Sequence, residues 1–357
     1  MSEIVKPEAG TRLLLPLACL IVLIAGLRAA EPVVVPFLLS VFLAMLGFPL
    51  LVWLRQLGVP QSVSIIVVVL GLVVVLGGVG MIVGGSVNAF TQALPQYQER
   101  LTLLLVSGEE QLASWGINVS FSAVVGDLIN PGQILQLAGG LLSRLAGIVS
   151  SFFLVFLTTV FMLTEATGFP AKIRAAWGDA GSRMLQFSSV MTQVHHYLII
   201  KTAISLFTGT VLGTWVWALG VDFPLLWGLL AFLLNYVPNI GSIMAAVPPI
   251  LVGLIQPGGG FGLALTVAIG YVALNLVVGN VAEPRMMGAR LGLSTLVVFM
   301  SLVFWGWVWG GVGMLLSVPL TMVVKILMQN SDELRWIAIF LDKTPSESGP
   351  TVAEEQS

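Results

Sequence analysis

The stretch from Leu225 to Ile255, LLWGLLAFLLNYVPNIGSIMAAVPPILVGLI, limits what this chain can become more than any other. It is apolar enough for hydrocarbon. Yet its middle, Asn235-Tyr236-Val237-Pro238-Asn239-Ile240-Gly241, places a proline, a glycine and two carboxamides where an uninterrupted spanning helix has none. Proline cannot donate to a helix ladder and its ring clashes with the carbonyl four residues earlier, so the spacing predicts a broken helix with the Leu234 carbonyl freed. Lipid offers that carbonyl no water. Broken backbone at membrane depth is therefore confined to places buried in protein or lining a wet cavity. Discontinuous segments of this kind mark the binding sites of secondary transporters. The alternatives are a proline-kinked helix with a purely structural role, or a short loop between two ordinary spans.

A near-echo follows. Leu296 to Ile326 is a second overlong apolar run, interrupted at Trp305-Gly306-Trp307-Val308-Trp309-Gly310-Gly311. After the first break Ile240-Gly241 leads to Val247-Pro248; after the second, Val312-Gly313 leads to Val318-Pro319 at nearly the same spacing. Two corresponding interrupted segments point to an internal duplication.

Such segments need a membrane around them, and composition supplies the case. The 357 residues are 57% hydrophobic and 9% charged, with a mean hydropathy of +1.01, far more apolar than a globular domain. The expected fold is an all-α membrane protein of about six full spans plus two broken-helix hairpins, with the lipid bilayer as its principal partner. Residues 1–87 carry three spans (Leu13–Leu27, Val33–Leu54 and Ser62 to about Val87), each long enough for a core of about 30 Å. Residues 88–146 turn polar, are divided by Asn130-Pro131-Gly132, and read as a small extramembrane helical subdomain. Its Leu101, Leu104, Leu105, Leu112 and Trp115 recur at helical spacing, so it should pack on the membrane surface or a neighbouring subunit. Residues 147–196 hold a fourth span, Gly147–Leu163, and a polar connector containing Lys172, Arg174 and Arg183. Residues 197–256 hold a fifth span, about Ile199–Leu219, and the first broken stretch. Residues 257–328 hold a span, Phe261–Val281, and the second broken stretch; 329–357 form a polar tail.

Charge sets the direction of each piece. As a straight helix each broken stretch would run roughly 50 Å, too long for one untilted crossing, whereas a hairpin would return to its starting side. With both as hairpins, twelve of the fifteen Lys and Arg fall inside and only Arg28, Arg100 and Arg144 outside; with both as single crossings, ten fall inside. The positive-inside rule favours hairpins, with Glu283 to Arg290 and both termini cytoplasmic. The first hairpin then enters from outside and the second from inside, which makes the two units inverted repeats, a plan that supports alternating access.

Three segments carry a family resemblance: Pro36-Phe37-Leu38 through Phe48-Pro49-Leu50 and Trp53-Leu54; the break from Asn235 to Pro248; and Gly279-Asn280-Val281-Ala282-Glu283-Pro284-Arg285-Met286-Met287-Gly288 followed by Leu291-Gly292-Leu293-Ser294. The last is the most specific and continues into Trp305-Gly306-Trp307 and Val318-Pro319-Leu320. The chain resembles the autoinducer-2 exporter family of bacterial permeases over nearly its whole length, least in residues 88–146. The resemblance implies a multi-pass inner-membrane transporter whose relatives have autoinducer-2, a furanosyl signal of quorum sensing, or sodium and protons as substrates. It leans towards a homo-oligomer, with a pentamer as the expected form. Where many relatives place an acidic residue before the Gly-Asn pair this sequence has Val278, which removes one group for proton coupling.

Other chemistries lack their residues. There is no G-x-x-x-x-G-K-[ST], H-E-x-x-H or G-x-S-x-G, so P-loop hydrolysis and two common hydrolase signatures are missing and no enzyme is expected. Net charge is −2, which offers nucleic acid no basic face, and Cys19 is the only cysteine. His195 and His196 are adjacent, the wrong spacing for paired metal ligands on a helix, and read as interfacial beside Tyr197 and Lys201. No cofactor is expected. The candidate transport-pathway residues are Asn235, Pro238, Asn239, Gly241, Asn275, Asn280, Glu283 and Arg285. Amides hydrogen-bond a neutral, hydroxyl-rich solute without burying an unpaired charge; their structural alternative is to tie helices together. Glu283 and Arg285 either belong to the pathway or pair with each other at the interface. Three readings follow: an exporter of a small polar solute; a sodium/proton antiporter or similar ion carrier working through Glu283, Asp222 or Glu165; and a membrane scaffold or assembly factor built on residues 88–146.

Overall fold

The computed structural model describes residues 9–116, 153–166, 181–238, 240–287, 293–329 and 335–341, with positions 168, 172 and 175. Every element among them is helical. In order they are α1 (Ala9–Ala29), α2 (Glu31–Gln56), α3 (Gln61–Ser114), α4 (Phe153–Ala166), α5 (Gly181–Ala218), α6 (Pro224–Leu234), α7 (Ile240–Ile255), α8 (Phe261–Val277), a π-helical turn (Val278–Ala282), α9 (Glu283–Met287), α10 (Thr295–Gln329) and α11 (Arg335–Phe340). Among the described residues five helices are long and apolar enough to cross a membrane. Leu, Ile, Val and Phe stand exposed along α1, α2, α3, α5, α8 and α10. Lipid is the solvent that such faces fit. This is a multi-pass membrane protein.

The chain folds into two compact units. One comprises residues 32–178 and 201–283; the other comprises 1–31, 179–200 and 284–357. In the first, lipid tails are as apolar as leucine, so helices gain little by hiding leucine and associate through close packing and polar bonds. α5 and α6 do the former: a Cβ on Gly209 would stand 2.6 Å from the Gly228 carbonyl oxygen, and one on Gly228 would stand 3.0 Å from Gly213 Cα. The Trp215 indole lies on Gly270 of α8, and Gly253 of α7 rests on Ala264 of α8. Around these contacts Leu212, Val216, Trp227, Ala231, Ala245, Val252, Val267 and Tyr271 form the core. A smaller cluster of Leu51, Ile65, Val68 and Leu163 joins α2, α3 and α4. There the Ser40 hydroxyl lies 3.0 Å from the Val155 carbonyl.

In the second unit α10 folds back on itself. Trp309 (φ −130°) and Gly310 (φ 59°) leave the helix, and the Trp305 indole N–H donates to Thr321 Oγ1 at 3.0 Å. Those residues are sixteen apart, which in a straight helix is about 24 Å. α1 closes on the fold: Trp309 donates to the Leu27 carbonyl and the Arg28 guanidinium lies 4.9 Å from the centre of the Trp307 ring.

Two expected boundaries are not breaks in the backbone. α3 continues past Val87 to Ser114, 54 residues and about 81 Å, so more than half of it lies beyond a hydrocarbon core. Composition changes near residue 88, but the Gln, Glu and Leu that follow are good helix formers. Likewise the connector before His196 and the fifth span form one helix, α5. The rest of the expected subdomain, residues 117–146, and the start of the fourth span lie outside the described residues.

Candidate functional site

From Val194 to Val216 one face of α5 is buried: Val194, Leu198, Lys201, Ser205, Thr208, Leu212 and Val216. Spaced by three and four, they share one side of the helix. Its middle is polar where Leu or Val would serve lipid better. Opposite stands the first break. Asn235 caps α6 and its Nδ2 donates to Ser205 Oγ at 2.9 Å; the Tyr236 hydroxyl donates to Thr202 Oγ1 at 2.7 Å. Edge-on contacts with Phe42 and Phe232, centroids 5.8 and 5.7 Å away, hold the Tyr236 ring.

The break itself is tighter than the sequence implies. The Leu234 carbonyl is not free: it accepts from the Val237 N–H at 2.9 Å, because the chain tightens into a turn before Pro238. Ile240 then donates to the Pro238 carbonyl at 2.7 Å and Gly241 to Val237 at 3.2 Å. A Cβ on Gly241 would fall 1.8 Å from Leu234 O. Only glycine fits. The second break repeats this arrangement, with a Cβ on Gly313 falling 1.9 Å from Trp305 O. In each, the next side-chain neighbour is a Cβ 3.1 Å away, on Val237 or on Trp309, four residues before the glycine. At the far end of the first stretch Gln256 binds its beginning, donating to the Gly220 carbonyl at 2.9 Å and accepting from the Asp222 N–H at 3.0 Å.

One turn before Ser205 the polar face of α5 ends in a charge. Lys201, with 2% of its side chain exposed, donates to Glu283 Oε1 at 2.5 Å. Glu283 is brought there by the π-helical turn, in which its own N–H reaches the Val278 carbonyl five residues back. The extra residue precedes Pro284, whose ring would otherwise meet a carbonyl of the preceding turn. Two charges withdrawn from water hold only in good geometry, and removing either partner leaves the other stranded.

These groups are polar donors and acceptors with one ion pair, buried in a membrane protein beside broken helices. A family described as "AI-2E family transporter" matches residues 17–333. The chain belongs to the AI-2E transporter family. It is 41% identical to the "AI-2 transport protein TqsA" of Escherichia coli (strain K12) over 336 residues, covering 93% of this chain and 96% of that protein. It is 38% identical to the "Putative transport protein YhhT" of the same strain, covering 94% of this chain and 95% of that protein. At 29% identity and 90% coverage of this chain, a "Putative transport protein" of Borreliella burgdorferi (strain ATCC 35210 / DSM 4680 / CIP 102532 / B31) spans 88% of its own length. The protein is a membrane transporter.

Within this AI-2E transporter the expected site residues separate. Asn235 and Glu283 both reach the polar face of α5, Asn235 through Ser205 and Glu283 through Lys201. Pro238 and Gly241 form the turn beside them. Asn275, Asn280 and Arg285 stand exposed, and Asn239 lies outside the described residues. Glu283 pairs with Lys201 and not with Arg285, since Lys201 is buried instead of interfacial. Sequence reasoning missed Lys201, Thr202, Ser205 and Tyr236. Hydroxyls scattered through an apolar helix carry little signal singly, but a lysine inside a candidate span and Gly209-x-x-x-Gly213 ahead of the break were both legible. Among the described residues no cluster of His, Cys, Asp or Glu could hold a metal ion.

Proposed function

We propose that this protein exports a small, hydroxyl-rich polar solute of the autoinducer-2 type across the bacterial inner membrane, by alternating access around its two broken stretches. The buried polar face of α5 against the first break carries this reading. There the Asn235 amide, the Tyr236 hydroxyl and their partners Ser205 and Thr202 are neutral groups that exchange hydrogen bonds with a polyol at little electrostatic cost. Pro238 and Gly241 form the turn beside these groups, Asn239 is assigned to the same pathway, and Glu283 adds a carboxylate to it. The matched geometry at Gly241 and Gly313, with the Gln256 clamp across the first stretch, supports two re-entrant hairpins, and the distribution of Lys and Arg favours placing them in inverted topology with both termini cytoplasmic. Asn275 and Asn280 lie exposed within a candidate span, where an amide prefers a protein partner to lipid. That favours a homo-oligomer, with these residues at subunit contacts. The name of the Escherichia coli relative, "AI-2 transport protein", agrees with the solute class.

An ion-coupled mode is the second reading, favoured by the Glu283 carboxylate held beside a buried lysine. Proteoliposomes containing labelled autoinducer-2 test both. Efflux above protein-free vesicles without an ion gradient supports uncoupled export, and efflux that requires a sodium or proton gradient supports coupling. Cation flux without solute release would replace the solute reading with an ion carrier.

A further inference from the structure

The root of the first broken stretch is a knot of contacts that solute binding does not use. Asp222 Oδ2 accepts from the Tyr97 hydroxyl of α3 at 2.6 Å, its carbonyl accepts from the Trp227 indole at 2.6 Å, and its N–H donates to Gln256. The next residue, Phe223, has φ 61° and ψ 46° and is the one non-glycine among the described residues with positive φ. A bulky side chain in that region is strained and persists only where its surroundings hold it. Phe90 of α3 meets the Phe223 ring edge-on, centroids 5.9 Å apart, and Phe90 in turn lies 5.9 Å from the Tyr97 ring.

The clamp and the latch divide the labour. Gln256 ties the end of α7 to the start of the stretch, so α6 and α7 are bound to move together. Phe90 and Tyr97 tie that root to a helix whose length carries it beyond the bilayer core. We propose that Tyr97 and Phe90 are positioning residues that latch the root of the α6–α7 stretch through Asp222 and Phe223, so that its movement in transport requires their release. This rests on the hairpin reading for its role in transport; its test needs no solute.

Val221, beside the latch, is 3% exposed and serves as the reporter once cysteine replaces it in a Cys19→Ser background. The purified full-length protein in mild detergent is treated with a water-soluble maleimide. Tyr97→Phe is expected to raise labelling at position 221 about ten-fold or more, from the loss of a hydrogen bond to a charged group, and Phe90→Ala about two- to ten-fold, from the loss of an aromatic contact. Asp222→Asn keeps a neutral acceptor for Tyr97 and is expected to label faster than the parent but more slowly than Tyr97→Phe; Asp222→Leu is expected to label at least as fast as Tyr97→Phe. A control cysteine at Leu163, fully buried in the α2–α3–α4 cluster, is expected to stay unlabelled throughout. Unchanged labelling at 221 in the Tyr97 and Phe90 variants would overturn the latch. So would an equal rise at 163, which would make both residues props of the whole fold.

Discussion

Lys201 is buried against Glu283, and the cost of separating the two can be worked out. Removing one partner of a buried ion pair costs about 3–5 kcal/mol, while replacing both by apolar groups of similar size is often neutral. Glu283→Gln, which strands the lysine, is expected to lower the melting temperature more than Lys201→Met, because Glu283 keeps 27% of its side chain exposed. Lys201→Met with Glu283→Leu is expected to recover most of the loss. Thermal unfolding in detergent checks the order, and a double variant no better than Glu283→Gln alone would show that the pair holds more than its own charges. At Asn235 the expectation is smaller. A double-mutant cycle of Asn235→Ala and Ser205→Ala should give a coupling of about 0.6 kcal/mol and no more than about 1.7, the mean and the maximum for interhelical hydrogen bonds in membranes.

The two breaks are the elements on which the fold turns. Gly241→Ala and Gly313→Ala each drive a methyl group into a backbone carbonyl, at 1.8 and 1.9 Å, and both variants are expected to lose monodisperse protein in size-exclusion chromatography. Gly311→Ala, with open space around it, is expected to behave as the parent. Normal folding of either break variant would show that the glycine does not hold the turn. That these elements exist was legible from Pro238, Gly241 and Gly310 set in apolar runs, since proline and glycine act through the local backbone. Where their side chains would go was not. The Leu234 carbonyl found a partner in Val237 because the turn closed one residue before the proline, which no helix rule foretells. Lys201 and Glu283 lie 82 residues apart, and nothing local says that a π-helical turn will aim one at the other. The length of α3 was hidden for the opposite reason: a change of solvent along a helix alters composition without altering the backbone.

Across the whole molecule the two units differ in what holds them. In residues 32–178 and 201–283 helices meet at Gly209, Gly228 and Gly270 and through the Lys201–Glu283 and Asn235–Ser205 pairs, whereas in the other unit Trp309 and Trp307 hold α1. Hairpins in inverted topology place Met286, exposed after Glu283, on the cytoplasmic side. A cysteine at that position in a Cys19→Ser background should resist a membrane-impermeant maleimide in intact cells and react in inverted vesicles. The central claim is that a polar solute crosses along the buried polar face of α5, from the first break to the Lys201–Glu283 pair, and that the pair takes part in its passage. The initial rate of autoinducer-2 efflux from proteoliposomes, measured for the parent and for Lys201→Met with Glu283→Leu at equal folded protein, tests it most directly. Passage along that face predicts efflux for the parent well above empty vesicles and a loss of at least about ten-fold in the charge-free variant. Equal rates in the two, with the variant as stable as the parent, would make the ion pair structural and contradict the claim.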